Sequence, residues 1–145
     1  DELNSEIGLI VSKTYSQKFK TELKTIQNEL FVIGSDLATP MNSRETKRLQ
    51  ERHLQRIEKY VEKYETEVEI TDFVLPGGTE IASLFHIVRT QSRNVERKIV
   101  RVSEVEEINP IIIKYLNRLS DLFYLMALYE NKNQDQKEES VNFDI

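Results

Sequence analysis

The sequence contains no cysteine, which excludes a disulfide framework and a metal site built from thiolates. Its 4 glycines and 3 prolines are too few for the many turns of a β-sandwich or barrel. No apolar run is long enough to cross a bilayer, and no signal-peptide pattern is present. The 145 residues, 39% of them hydrophobic, suffice for one domain with its own core. We therefore expect one domain with no membrane partner, located in the cytoplasm or in an organellar matrix; the cytoplasmic location is the one we adopt.

The chain is acidic, with a net charge of -5 and an isoelectric point near 5.2. A general nucleic-acid-binding domain usually carries a basic footprint, so nucleic acid is not an expected partner. The sequence starts at Asp1 rather than at methionine, and Leu3, Ile7 and Ile10 indicate that a helix is already under way there. We expect a further segment upstream of residue 1.

Apolar residues recur three or four positions apart along most of the chain, which is the spacing of an amphipathic helix. After the opening helix, four such series run from Phe19 to Leu37, Leu54 to Val68, Ile81 to Val102, and Ile112 to Met126. No segment alternates with a period of two for long enough to form a strand. The sequence predicts an all-α protein, an up-down five-helix bundle over residues 1–131, and a polar, frayed tail over residues 132–145.

Proline and glycine mark the ends of these predicted helices. Pro40 disfavours the helical conformation at the residue before it, so the second helix should end near Ala38. The run Pro76-Gly77-Gly78 breaks the chain before the fourth helix, for which Thr79 is the predicted N-cap. Pro110 fits the first turn of the fifth helix.

The fourth predicted helix gathers positive charge on one face. At about 100° per residue, Arg89, Arg93, Glu96 and Arg97 form a column beside the apolar seam rather than opposite it. Guanidinium groups at such a border are partly desolvated and suit an anionic ligand such as a polyphosphate, and Glu96 would hold them by ion pairing. A solvated face with ion pairs, or a subunit interface, explains the same residues, and composition alone favours that explanation.

Other polar residues have structural explanations beside functional ones. A second polar stripe on the fifth helix could set the register of the bundle. It comprises Asn117, Ser120, Asp121 and Tyr124. His53 lies in a charged segment and is expected at the surface, whereas His86 is a candidate ligand. With two histidines and no Glu-x-x-His pair, a di-iron site is not expected.

Phe73 directly precedes the Pro-Gly-Gly turn. Its ring either projects beyond the end of the bundle or forms a hydrophobic staple across the turn. The residues alone leave both alternatives open.

Four segments, in the same order along the chain, resemble the PduO-type ATP:cob(I)alamin adenosyltransferases. They are DELNS at residues 1–5, GSDLATP at 34–40, FVLPGGTEIASLFHIVRTQSRNVER at 73–97 and YLNRLSDLFYLMA at 115–127. The resemblance covers nearly all of residues 1–131. It implies a homotrimer of five-helix bundles with active sites between subunits, which transfers the 5′-deoxyadenosyl group of ATP to cob(I)alamin and releases triphosphate.

The resemblance also implies substrates, a metal and partners. ATP and cobalamin are the substrates and Mg2+ is used with ATP, while the residues that hold the metal stay open. The cobalt(I) centre is itself the nucleophile, so the protein binds, orients and supplies electrostatics. A flavoprotein reductase and an adenosylcobalamin-dependent enzyme are candidate protein partners.

By the same resemblance, ATP is bound by residues of the charged column and of the last helix. These ATP-binding residues are Arg93, Glu96, Arg97 and Asn117. Arg93 and Arg97 would steady the charge of the departing triphosphate.

The remaining implied roles concern the corrin and the subunit boundary. Arg89 would pair with Asp1 of the partner subunit, so that Arg93, Arg89 and Asp1 are the expected catalytic residues. Phe73 and Asn117 are the expected cobalamin-binding residues. The ring of Phe73 would pack against the corrin and displace its lower axial ligand, which makes cobalt(II) easier to reduce.

Two features depart from the family's pattern. The nucleotide loop, a T-K-T-G-D-x-G-x-T-like stretch, is absent from the sequence, and we expect it upstream of residue 1. Many relatives carry adjacent arginines where this chain has Arg93-Asn94, so one cation is missing while Arg93 and Arg97 are kept. The rival hypothesis is a non-catalytic helical oligomer that binds nucleotide or acts as a scaffold.

Overall fold

The computed structural model describes residues 1–70 and 73–145. In that part of the chain five helices form, with the bounds α1 (Glu2–Lys13), α2 (Gln17–Ala38), α3 (Glu51–Glu65), α4 (Glu80–Ser103) and α5 (Pro110–Asn133). α5 packs against α3 and α4, and α1 packs against α2 and α4. The predicted all-α five-helix bundle is confirmed, whereas the homotrimer stays a prediction. None of the described helices is both long and apolar enough to span a membrane.

The core lies where the apolar seams of the helices meet, and α5 supplies much of it. The buried seam of α5 comprises Ile112, Leu116, Leu119, Phe123 and Met126. Phe85 of α4 packs between two further rings, with its centroid 5.1 Å from that of Phe19 and 6.3 Å from that of Phe123. Burial of each such side chain contributes about 1.5–3 kcal/mol. This packing fixes α4 against both α2 and α5.

The helix ends that rest on a local signal are confirmed. α2 ends at Ala38, two residues before Pro40. The hydroxyl of Thr79 accepts a hydrogen bond from the backbone N–H of Ala82 at 3.1 Å, which caps α4. Pro110 occupies the first turn of α5.

The charged stretch that begins at Arg44 starts as a loop, which Asp36 and Arg48 organise. The Arg48 guanidinium lies 2.8 Å from an Asp36 carboxylate oxygen and also donates to backbone carbonyls of the loop after α2. The other carboxylate oxygen of Asp36 accepts from the backbone N–H of Leu49 at 2.9 Å. These hydrogen bonds give the polar groups of the loop backbone their partners without a helix, and α3 begins only at Glu51.

His53 is not a surface residue, and that expectation is wrong. Its side chain is buried, and its Nδ1 accepts a hydrogen bond from the backbone N–H of Gln50 at 2.8 Å. The ring caps the N-terminus of α3. The many charged residues around His53 in the sequence gave no sign of this structural role.

Asn131, the last residue of the predicted bundle, is fully buried and joins three parts of the chain. Its Oδ1 accepts from the backbone N–H of Thr79 at 3.0 Å. Its Nδ2 donates to the carbonyl of Gly77 at 3.0 Å and to the carboxylate of Glu138 at 2.8 Å. α5 therefore continues through Asn131 and ends at Asn133.

The residues after α5 pair with the segment before the Pro-Gly-Gly turn. The backbone N–H of Leu75 donates to the carbonyl of Glu139 at 2.8 Å, and that of Val141 donates to the carbonyl of Phe73 at 2.9 Å. The two segments form a single antiparallel bridge, too short to count as a strand. The expectation of a frayed tail is therefore wrong, while the division of the chain after residue 131 stays a prediction.

Glycine at position 78 is required by this arrangement, which gives a first testable prediction. Gly78 has a φ of 102°, and a Cβ atom there would collide with the Asn131 amide. Gly77 has a φ of 156° and open space around it, so Gly77→Ala is the matched control. We expect Gly78→Ala to lower the free energy of unfolding by about 1–3 kcal/mol more than Gly77→Ala does, as measured by urea denaturation. Equal losses would contradict the contact with Asn131.

Candidate functional site

α4 carries the predicted cations along one edge of the bundle. Ser92 and Ile99 of α4 are buried, whereas Arg93 and Arg97 are exposed and Arg89 is half-buried. Residues four positions apart share a face of a helix, so the three arginines line up along it. At 1.5 Å per residue the column spans about 12 Å. The column lies next to the buried seam, and of its three guanidinium groups only that of Arg89 is partly withdrawn from water.

None of the three arginines is paired with a carboxylate among the described residues. In the described residues Arg93 makes neither an ion pair nor a hydrogen bond, and Arg97 donates only to the side chain of Asn94. A guanidinium without a carboxylate partner keeps its fork of donors for an incoming anion. The column is therefore a cationic edge on an acidic protein.

Glu96 pairs with Asn117 rather than with the arginines, which corrects the expected ion pairing. The Nδ2 of Asn117 donates to Glu96 Oε1 at 3.2 Å. Over the part of the chain that the structure describes, no ion pair joins Glu96 to an arginine. The contact links α4 to α5 and places the predicted residue Asn117 beside the column.

A cleft of about 550 Å³ adjoins the column at Arg89. Its lining residues are Ile70, Phe73, Val74, Pro76, His86, Arg89 and Tyr124. The ring of Phe73 is 75% exposed, which excludes the alternative of a staple buried across the turn. An exposed aromatic ring thus shares one cleft with a half-buried cation.

The chain after α5 sets the position of Phe73. The rings of Phe73 and Phe143 meet edge to face, with centroids 6.2 Å apart and planes at 85°. The backbone bond from Val141 to Phe73 holds the same segment in place. Both contacts lie outside the Pro-Gly-Gly motif from which the role of Phe73 was predicted.

His86 is a buried wall of this cleft. Its side chain is 4% exposed, and its ring packs edge-on against Tyr124 of α5, with centroids 6.1 Å apart. Its Nδ1 accepts a hydrogen bond from Nε of Arg89 at 3.3 Å. Burial, and secondly the charge of Arg89, lower the pKa of His86 to about 4. At neutral pH the imidazole is therefore uncharged and carries its proton on Nε2.

Arg89 is the most enclosed of the three cations. Burial, and secondly the charge of Arg93, lower its pKa, although a guanidinium stays protonated at any ordinary pH. Its neighbours in the described chain supply no carboxylate within ion-pair distance. The pairing of Arg89 with Asp1 of the partner subunit stays a prediction.

Asp1 is not brought to this cleft within the chain. It is exposed at the start of α1 and lines a different groove, of about 470 Å³, together with Phe31, Val95 and Leu116. The site as found in one chain therefore comprises the column, Asn117 and the cleft, without Asp1.

The described residues do not fit a metal site made by the protein. No group of three or more His, Cys, Asp or Glu side chains converges among them to hold an ion. Glu96, the carboxylate within the cationic column, is engaged by Asn117.

Reasoning from sequence missed part of the cleft. Tyr124 stands out in the sequence only as the end of a polar stripe, whose member Asp121 instead pairs with Arg118 at 3.0 Å. The position of His86 three residues before Arg89 was a usable signal, because residues so spaced share a helix face. Phe143 had no such signal, since it follows a polar segment whose return to the bundle has no periodicity.

The sequence profile of the family described as Cobalamin adenosyltransferase matches residues 1–130. The chain belongs to this family. A family member from Bacillus subtilis, the Corrinoid adenosyltransferase, is 42% identical over 136 residues, covering 90% of this chain and 70% of the relative. The human Corrinoid adenosyltransferase MMAB is 33% identical over 153 residues, covering 95% of this chain and 58% of the relative.

A solved cobalamin adenosyltransferase has nearly the same fold. It is a variant PduO-type ATP:corrinoid adenosyltransferase from Lactobacillus reuteri, complexed with cobalamin and ATP. The TM-score is 0.92 at 37% sequence identity, covering 99% of this chain and 80% of the solved one. The resemblance inferred from four sequence segments is confirmed.

The buried histidine predicts how stability depends on pH. The unfolded chain binds a proton at His86 near pH 6.5, whereas the folded chain does so only near pH 4. Between these values the unfolded state therefore binds more protons, and the folded state loses stability as the pH falls. The unfolding free energy of the parent and of His86→Asn can be measured by urea titration at several pH values. Between pH 6.5 and 4 the value for the parent should fall relative to that of the variant, and above pH 7 the two curves should run parallel. The same comparison with His53→Asn isolates the second histidine, and parallel curves throughout for His86→Asn would contradict the assignment.

Proposed function

We propose that this chain transfers the 5′-deoxyadenosyl group of ATP to cob(I)alamin and releases triphosphate. In this reaction the cobalt(I) centre supplies the electron pair of the new cobalt–carbon bond. The bond between C5′ of ATP and its oxygen breaks, and that electron pair leaves with the triphosphate. The observation that carries the proposal is that Arg89 lines the Phe73 cleft and shares a face of α4 with Arg93 and Arg97.

The two ends of this site suit different substrates. At one end the cleft offers the exposed ring of Phe73 with Val74 and Tyr124, an apolar surface that suits the face of a corrin. At the other end Arg93 and Arg97 offer guanidinium groups that pair with no carboxylate among the described residues and suit the phosphates of ATP. The corrin therefore lies against the cleft, and the nucleotide lies along the column.

Arg93 and Arg97 act on the leaving group. Negative charge grows on the triphosphate as the bond to C5′ breaks, and fixed cations stabilise charge that develops in the transition state. Asn117, oriented by Glu96 at 3.2 Å, stands where α5 meets the column and contacts ATP and the corrin. With a nucleophile supplied by the substrate, the protein needs no acid–base pair.

Magnesium arrives with ATP in this proposal. The described residues lack a converging group of metal ligands, so the phosphates themselves would hold the ion. Every role assigned to the chain is therefore one of binding, orientation or electrostatics by its own side chains.

The remaining predictions complete the proposal. They are a homotrimer in which Arg89 meets Asp1 of the partner subunit, a phosphate-binding loop upstream of residue 1, a cytoplasmic location, and contacts with a reductase and with an enzyme that uses the product. The rival hypothesis of a non-catalytic oligomer is not favoured, because the relatives found are named as adenosyltransferases.

Arg93→Ala tests the nucleotide end of the site. Because Arg93 is exposed and has no partner in the described chain, its removal should change the free energy of unfolding by less than about 0.5 kcal/mol. Turnover of the full-length protein with chemically reduced cob(I)alamin, ATP and Mg2+ should fall at least about a hundredfold, followed in the visible spectrum. Arg52→Ala, at an exposed arginine of α3 away from the column, is the matched control and should keep its activity. Full turnover in Arg93→Ala would overturn the assignment.

Phe73→Ala tests the corrin end. If the ring displaces the lower axial ligand, the variant should lose reduction of cobalt(II) far more than transfer from chemically prepared cobalt(I). Tyr15→Ala is the control, because Tyr15 is fully exposed and lies outside the cleft. Equal losses in the two assays would show that Phe73 serves binding in general rather than the cobalt(II) step.

A further inference from the structure

We propose that His86 is a positioning residue for the reaction: it fixes the direction in which Arg89 presents its guanidinium to the cleft. The inference rests on the proposed function only in its kinetic arm. Its structural arm concerns the bond between the two side chains, which can be measured without turnover.

The contact between the two side chains holds the cation at its base. Nδ1 of His86 accepts a hydrogen bond from Nε of Arg89 at 3.3 Å. This is the one side-chain bond that Arg89 makes in the described residues. The Nε–H lies at the base of the guanidinium, so a bond there leaves both terminal NH2 groups unengaged. Held in this way, the guanidinium can rotate little, and its two NH2 groups keep one direction.

The imidazole that accepts this bond is itself fixed in place. His86 is 4% exposed, and its ring is packed against Tyr124 at 6.1 Å. Both residues line the cleft together with Phe73 and Arg89. Because the packing of α4 on α5 fixes the His86 ring, the ring in turn fixes Arg89, which borders the corrin end of the site.

The protonation state of His86 suits the contact. Only an uncharged imidazole can accept at Nδ1, and a charged one beside Arg89 would be repelled. Burial keeps the ring uncharged at neutral pH, and the proton then lies on Nε2. That Nε2 is buried and has no hydrogen-bond partner among the described residues. The ring therefore engages one nitrogen with the cation and leaves the other without a partner among the described residues.

Two near-isosteric variants separate the nitrogens. His86→Asn places an amide oxygen where Nδ1 lies, so it retains an acceptor for Arg89, whereas His86→Gln places its polar atoms nearer the position of Nε2. We expect His86→Gln to lower kcat/KM for cob(I)alamin roughly tenfold or more, the scale for losing a hydrogen bond to a charged group. The KM for ATP should stay unchanged, because Arg93 and Arg97 lie beyond the contact. His86→Asn should recover most of the loss. Rescue by Gln instead of Asn would overturn the proposal.

A double-mutant cycle tests whether His86 acts through Arg89. If it does, His86→Gln should add little to the loss already caused by Arg89→Ala, so the two effects should be strongly non-additive. Additive effects would show that His86 acts independently and would overturn the proposal. Thermal unfolding of each variant identifies any loss of activity that comes from misfolding. If His86→Gln does not fold, the activity of His86→Asn decides whether the acceptor at Nδ1 is what matters.

The bond can also be measured directly. His53→Asn leaves His86 as the single histidine of the sequence, so the imidazole 15N resonances can be assigned by NMR. We expect the tautomer with its proton on Nε2 and a hydrogen-bonded Nδ1. The 15N resonance of Nδ1 should shift in Arg89→Ala, because the bond is then lost. A proton on Nδ1 would overturn the proposal whatever the enzyme assays show. No turnover in the parent protein would instead refute the proposed function and leave this measurement standing.

Discussion

The arrangement of the site depends on the hydrogen bonds of one buried side chain, Asn131. Its amide holds Thr79 at the start of α4 and Gly77 in the preceding turn, and it reaches Glu138 in the chain that returns from α5. A buried amide with three partners is stable because each partner would otherwise lose a bond to water. The turn, the helix that carries the cations and the segment that supports Phe73 are therefore positioned from one point.

The electrostatics of the site follow from where α4 lies in the bundle. Its seam faces α5 and α1, so the adjoining face is neither fully solvated nor buried. Arg89, half-buried on this face, keeps its charge but has fewer competing water molecules, whereas Arg93 and Arg97 are exposed. Elsewhere in the protein Arg48 and Arg56 are matched with Asp36 and Glu29. Cations that are matched support the fold, and cations that are left unmatched remain available to a ligand.

The fold and the family could be predicted from sequence because both depend on local signals. The apolar spacing indicated the helices, and Thr79 and Pro110 marked the start of two of them. The errors have different causes. Asn131 and Val141 bond to residues distant in sequence and fasten a tail that looks disordered by composition, whereas His53 is held by a local bond to the backbone of Gln50.

The same distinction holds for the site. Arg89, Arg93 and Arg97 are related by helix geometry, so their alignment follows from the sequence alone. The partner of Glu96 does not, since it depends on how α5 is rotated against α4.

The rotation of α4 has a wider consequence, because one helix carries both the core seam and the whole functional edge. Inserting or deleting a single residue in it would turn everything beyond that point by about 100° and move it about 1.5 Å. Core and site residues lie on the same helix and would be displaced together, so α4 tolerates substitutions but not the insertion or deletion of a single residue.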